Sequence, residues 1–384
     1  LPQLFIYIAP WLMLWLAYSW QTLTEKEHRL EIILMMAIIF LGIANLSLSN
    51  AAWRSIDTMQ TFLLTGLFAL WAAMFSINDS HRRRIFDWFC AGALGAVILV
   101  EMIFYAFRTQ YGPEVFQVFV LHPIPLGTLV IMLSPGPVRL IISKNSTAKL
   151  LGWLLVLLSG ILIFLTHKRG TWIALAAMLA IWMLYLVRGR KYLVLSIFLV
   201  IALILPLEAH RRFAHLDPNI GRHAAILHRL ELYNFALHIW QTHPFMGIGL
   251  RSFTHAQYLP GYHLRNPKLQ DFPQAVAKLQ TLDNLFLTSV VELGTVMTLF
   301  YFGLVILILA KYWRRLRSRP ESSPLDWYRL LVLLGFAIHS LTYDSLLFPP
   351  LNWLFHVQLG IMAGYQVYDP RLSQPSGAMG LSET

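Results

Sequence analysis

The sequence predicts an all-α polytopic transmembrane helical bundle of about 11–12 spans with one large, partly helical loop outside the membrane. Three observations carry that prediction. Hydrophobic residues make up 57% of the 384 residues and charged residues 13%, about half the charged share of a soluble domain. Apolar runs of about 20 residues recur along the chain, the length that crosses about 30 Å of hydrocarbon at 1.5 Å rise per residue. The Lys and Arg between those runs are unevenly distributed, as a positive-inside topology requires.

The apolar runs place spans at 1–19, 30–48, 61–78, 87–107, 116–135, 150–166, 171–187, 192–208, 283–310, 328–345 and 351–368. One alternating set of connections holds Arg82–Arg83–Arg84, then Arg139, Lys144 and Lys149, then Arg188, Arg190 and Lys191. It ends with Lys311, Arg314, Arg315, Arg317, Arg319 and Arg329, fifteen cations in all. The opposite short connections hold four: Arg54, Arg108, Lys168 and Arg169. The first set is therefore expected in the cytoplasm. The chain then divides into N-terminal membrane helices over 1–208, an external basic loop over 209–282, C-terminal membrane helices over 283–368 and a cytoplasmic tail over 369–384. Eleven spans leave Leu1 outside, and a further helix before it would make twelve with both ends inside. No basic region precedes the first apolar stretch, so no cleavable signal peptide is expected.

The net charge of +11 would raise nucleic acid as a partner in a soluble protein. Here topology accounts for it, and nucleic acid is not expected. Membrane lipids are. The single cysteine, Cys90, cannot form an internal disulfide and reads as a small buried hydrophobe. No internal repeat stands out, which weighs against a secondary transporter.

The 209–281 segment carries eight Lys/Arg, eight of the 14 His, and three acids, Asp217, Glu231 and Asp271. A loop of this length with aromatic and apolar residues is expected to be functional and ordered. Residues 222–242 have a helical pattern with Ile226, Leu230, Tyr233 and Leu237 on one stripe. Asn219 is a plausible N-cap, His243–Pro244 ends the run, and Gly247–Ile248–Gly249 supplies a turn. Arg222 and Arg229, seven apart, share a face. A basic excess outside the membrane points to an anionic ligand such as a phosphate or pyrophosphate, which Arg grips with a planar fork of donors. The competing reading is a solvated face or contact with lipid headgroups. His210/His215 and His223/His228 are spaced by five rather than four, so no metal site is expected. No cofactor is expected either.

Arg169 sits in Thr166–His167–Lys168–Arg169–Gly170, a tight external turn between two apolar helices. It reads either as a snorkelling cation or as part of a phosphate clamp completed by the loop. Asp283–Asn284 opens the helix after the loop. Asp283 is either a helix cap or a carboxylate facing the Arg cluster as a general base. Glu292 lies two turns deeper and is expected inside the bundle. Glu101, His339 and Asp344 are further intramembrane polar candidates without an assigned role.

These features together resemble the O-antigen ligase and polymerase superfamily, bacterial membrane glycosyltransferases of the GT-C type. The resemblance covers roughly 150–300. It rests on Arg169 in the turn and Arg229 in His228–Arg229–Leu230–Glu231–Leu232–Tyr233. It continues through Pro244–Phe245–Met246–Gly247–Ile248–Gly249 to Asp283–Asn284, with nine residues between Asn284 and Gly294. The resemblance implies transfer of a glycan from undecaprenyl pyrophosphate to an acceptor hydroxyl at the periplasmic face of the inner membrane. The acceptor would be a lipid A core sugar for a ligase in lipopolysaccharide maturation, or another lipid-linked repeat unit for an O-antigen or exopolysaccharide polymerase. Arg169 and Arg229 would bind pyrophosphate, with Arg222, Arg265, His167, Lys168, His228 and Asn284 assisting. Ligases carry His before that Asn, as the proposed base, and this chain carries Asp283. Either Asp283 takes the role or another residue, such as His228 or His167, does. The loop has no DxD-like acidic metal motif, consistent with an inverting, metal-independent mechanism in which cations neutralise the leaving group. A transporter or flippase of lipid-linked glycans, and a scaffold whose basic loop recruits anionic partners, are the rival readings.

Overall fold

The computed structural model describes residues 28–47, 49, 52–111, 123–166, 168–186, 222–253, 282–318 and 323–365. Among these, all regular structure is helical. The chain runs through α1 (Arg29–Ser47) and α2 (Ala52–Thr58), which continues through a π-helical stretch, Met59–Leu64, into α3 (Thr65–Ser76). Then follow α4 (Ser80–Tyr111), α5 (Pro123–Leu133), α6 (Pro135–Ile141), α7 (Ser146–Leu165) and α8 (Arg169–Leu186). The second half comprises α9 (Arg222–Thr242), α10 (Leu285–Arg317), α11 (Pro324–Ser340) and α12 (Pro349–Ala363).

Among the described residues, six helical stretches are long and apolar enough to cross a membrane: Arg29–Ser47, Ser55–Ser76, Ser80–Phe107, Ile124–Ile141, Ser146–Leu165 and Leu285–Arg317. The chain is a multi-pass membrane protein. Many large apolar side chains on these helices are exposed, including Phe40, Leu99, Leu150, Trp153 and Ile306, as lipid-facing surfaces require. The expected spans 171–187, 328–345 and 351–368 correspond to α8, α11 and α12, of which α12 is only 15 residues long. From Leu351 onward α12 is buried on almost every side, Trp353 excepted, which explains its lack of a polar face. The expected spans 1–19 and 192–208, the tail over 369–384 and Asn219 lie outside the described residues.

Local sequence sets the helix ends. Asn145 caps α7 by accepting from the Thr147 and Ala148 amides at 2.9 and 3.4 Å. Ser323 caps α11 ahead of Pro324, and Pro349–Pro350 opens α12, where missing N–H groups cost nothing. One span differs from expectation: the run placed at 116–135 crosses instead over 124–141. Ser134 turns the chain there, and Pro135 and Pro137 start a second helix rather than ending the first. Arg139 therefore lies in α6, not in a connection. Arg329 is also not a connection residue: it is buried in α11, ion-paired with Asp87 of α4 and donating to Gln358 Oε1 at 2.8 Å.

The core is one contiguous apolar cluster built chiefly from α1, α3, α4, α5, α10, α11 and α12. Within it α3 packs on α12, α8 on α11, α4 and α7 on α6, and α1 on α10. Cys90 is buried where the α4 backbone presses on Gly136 of α6, with no room for a Cβ. A second, smaller cluster of Leu232, Phe235, Ala236, Ile239, Ile248, Phe253, Leu282 and Val291 fastens α9 to the start of α10. The expected helix over 222–242 is present; of its expected stripe Tyr233 packs against this cluster, as expected, and Leu237 does not. Leu237 is 45% exposed while Leu232, Phe235, Ala236 and Ile239 face inward, because the partner surface lies on α10 and residues 248–253.

Candidate functional site

α9 ends at His243–Pro244, and the chain then crosses α10 at close range. Gly247 (φ 66°) and Gly249 (φ 104°) bend it into the crossing, while Gly294 (φ 73°) breaks α10 from within. The break frees backbone groups on both strands, and the strands exchange them. Ile248 and Gly249 amides donate to Val291 and Glu292 carbonyls at 3.1 and 3.0 Å, and Thr295 and Val296 amides donate to Pro244 and Phe245 carbonyls at 2.9 and 3.3 Å. A Cβ on Gly247 would run into the Glu292 carbonyl, and one on Gly294 into the Phe245 carbonyl. Trp240 Nε1 adds a bond to Thr295 Oγ1 at 2.9 Å. The two glycine motifs, 47 positions apart, are thus two sides of one contact.

The crossing places a carboxyl group under a turn. Glu292, 6% exposed, accepts from the Arg251 amide at 2.8 Å and the Phe253 amide at 3.1 Å. Arg251 takes a left-handed backbone (φ 54°) and leaves its side chain exposed. Asp283 (φ 51°) shares that conformation. Among the described residues these are the two non-glycine positions with positive φ, and both lie in this region. Such backbone strain concentrates at functional sites because surrounding structure must hold it. Asn284, not Asp283, is the N-cap of α10: its Oδ1 accepts from Phe286 and Leu287 amides, both at 3.1 Å. The capping role therefore falls to Asn284.

The connection between α11 and α12 closes the same end of the bundle. His339, which shares hydrogen bonds with Thr128 Oγ1 at 2.8 Å and Ser345 Oγ at 3.2 Å, anchors it. Within it Asp344 is 1% exposed, and neither carboxyl oxygen has a hydrogen-bond partner of standard geometry. Burial pushes its carboxyl up to about 7; the Thr288 hydroxyl and Arg251 pull the other way, and neighbouring Asp283 adds to the rise. Burial likewise raises the Tyr343 hydroxyl, with Asp283 and Asp344 contributing. Gly170, second residue of α8, backs directly onto Thr342. The turn bearing Arg169 therefore meets the connection bearing Tyr343 and Asp344, which in turn meets Asp283 and Arg251.

The structure brings together several residues expected from sequence. Asp283 and Asn284 stand at the mouth of α10; Lys168 and Arg169 stand at the start of α8, with the Lys168 carbonyl accepting from the Trp172 amide. Arg222, His228 and Arg229 lie on α9, Arg229 three residues before Leu232, which is buried against Leu282 and Val291. His167 and Arg265 lie outside the described residues. Arg251 was not anticipated, and Asp344 carried no role. The signal for Asp344 was an acid between two apolar helices; for Arg251 it was a cation two residues beyond a Gly-x-Gly turn.

Residues 154–302 match the family model for O-antigen ligase. Over that stretch the chain is similar to the O-antigen ligase family. The match runs from α7 to the first half of α10, so it encloses the Arg169 turn, α9, the glycine crossing and Asp283–Asn284. The matched model is of the O-antigen ligase/polymerase type, a family of membrane glycosyltransferases whose substrates are lipid-linked glycans, and it spans less than half of the chain. No curated protein gives a significant match to the chain. Two segments of the site, α1 and the Tyr343–Asp344 connection, fall outside the matched O-antigen ligase domain.

Proposed function

We propose that the protein transfers a glycan from undecaprenyl pyrophosphate to a lipid A core hydroxyl at the periplasmic face of the inner membrane, as an O-antigen ligase. The observation that supports this best is the meeting of the domain's motif segments, the Arg169 turn, the glycine crossing and Asp283–Asn284, at one end of the bundle. Arg169 and Arg229 hold the pyrophosphate, with Arg222, Arg265, Lys168, His167, His228 and Asn284 around the donor. Asp283 takes the acceptor proton as the hydroxyl oxygen attacks the anomeric carbon. The bond from that carbon to the pyrophosphate oxygen breaks with inversion, and the guanidinium groups meet the charge left on the leaving group. The Lys/Arg distribution supports a periplasmic 209–282 loop and a cytoplasmic C-terminus.

A second reading has its own observation. Asp283 stands where ligases carry His, which favours a polymerase that extends lipid-linked repeat units. The test is transfer by the purified protein from undecaprenyl-pyrophosphate-linked glycan in the presence of EDTA, with lipid A core and lipid-linked repeat unit as separate acceptors. Transfer to core is the expected result. Lengthening of the lipid-linked chain instead makes the protein a polymerase. Donor binding without transfer to either acceptor overturns both readings in favour of a flippase. Arg229→Ala is expected to abolish transfer while still inserting in the membrane.

A further inference from the structure

α1 is apolar along most of its length, yet near its end it carries a fully buried amide, Asn45 (0% exposed). A polar side chain at that depth needs partners, and Asn45 finds three. Its Nδ2 donates to the Met246 carbonyl at 2.6 Å and to the Glu292 carbonyl at 3.0 Å. Its Oδ1 accepts from the Leu250 amide at 3.1 Å. Both N–H groups and one lone pair are therefore used, and all three partners are backbone groups of the glycine crossing. The neighbouring hydroxyls extend the seam: Ser55 Oγ donates to the Leu250 carbonyl at 2.6 Å, and Ser49 Oγ lies 2.9 Å from Ser252 Oγ.

We propose that Asn45 is a positioning residue of the transfer site, the pin that holds the 246–253 turn in register with the broken α10. It acts through others. The turn it fixes presents Arg251, and the helix it fixes presents Glu292 and, at its mouth, Asp283. The pin comes from outside residues 154–302, so the O-antigen ligase domain does not complete its own site. No other side chain type fits as well. Asp would set unprotonated oxygens against two carbonyls, and Leu or Ala would leave the Met246 carbonyl and Leu250 amide buried without partners.

The inference rests on the glycosyl-transfer reading, and its test has an arm that does not. Asn45→Ala and Asn45→Asp are compared with wild type and with Glu31→Gln, a change on the same helix about 21 Å away by helical rise that removes an ion pair to Lys311. Transfer kinetics and hydrogen exchange of 244–253 are measured on each detergent-solubilised, monodisperse protein. Both Asn45 variants are expected to lose about tenfold or more in kcat with a smaller change in KM for the lipid donor, and to exchange about tenfold faster across 246–253. Glu31→Gln should match wild type in both. Unchanged kcat in Asn45→Ala, unchanged exchange, or equal losses in Glu31→Gln would each overturn the assignment. A wild-type protein that transfers no glycan sinks the transfer reading alone; the exchange arm then decides the pin.

Discussion

Gly247 and Gly294 face one another across a backbone crossing so close that neither can carry a Cβ, and both adopt positive φ. Gly247→Ala and Gly294→Ala each add left-handed strain of about 1–3 kcal/mol and a collision with a carbonyl that cannot move aside. Each single variant is expected to lose more than about 3 kcal/mol of local stability and to lose transfer activity. Thermal unfolding in detergent, alongside the transfer assay, checks both. A fully active Gly294→Ala would mean that the crossing is dispensable.

Glu292 answers two amide donors with two oxygens. Glu292→Gln keeps the shape but turns an NH2 group toward one of those amides, leaving buried donors face to face at a cost of about 1–3 kcal/mol. Loosening of the Arg251 turn should follow. Exchange of the Arg251 and Phe253 amides is expected to rise in the variant, with transfer reduced; protection equal to wild type would contradict the pairing.

Asp344 gives the fold a pH dependence with a definite sign. Its carboxyl titrates at about 7 in the folded protein against an ordinary value of 3.8. Between those values the native state holds a proton that the unfolded chain has released. Stability therefore falls as pH rises through that window, by about 1.4 kcal/mol per pH unit for this group, and levels off above it. Asp344→Asn removes the titration. Unfolding of the two proteins from pH 4.5 to 7.5 should show a difference that shrinks steadily with pH; a constant difference would refute the assignment.

Arg329 and Asp87 are buried together at the opposite end of α11 from Asp344, with side chains 1% and 3% exposed. Removing either partner strands the other charge, at about 3–5 kcal/mol, whereas replacing both with apolar residues of similar size costs far less. Arg329→Met, Asp87→Leu and their combination form a double-mutant cycle. The double variant is expected to be more stable than either single one. Additive losses would show that the two charges do not stabilise each other.

Much of this protein was legible in its sequence, and what was missed has a common cause. Hydrophobic run length located α1, α7 and α10 to within a few residues, apart from the C-terminal end of α10, because crossing lipid constrains length directly. The helix at 222–242 was legible from its period, but its buried face only in part, with Tyr233 packed inward and Leu237 exposed, since the phase depends on a partner surface in α10. The proline pair at 135 and 137 moved a span by several residues because a Pro can open a helix as well as end one. At the site, residues with family spacing could be named: Asp283, Asn284 and the glycines. Arg251, Asp344 and Asn45 could not be given roles, because each acts through contacts with segments distant in the chain, Asn45 at separations of 201 and 247 residues.

The dependence of the glycine crossing on α1 bears on how the matched stretch could be moved into another protein. A chimera joined at residues 154 and 302 would import the turn and the broken helix intact, yet leave them facing a foreign first helix. Unless that helix offers an amide at the right height, the graft arrives with the Met246 carbonyl and the Leu250 amide unanswered and its turn loose. Transplanting α1 together with the domain is the smaller risk, although it means exchanging two distant stretches of gene rather than one.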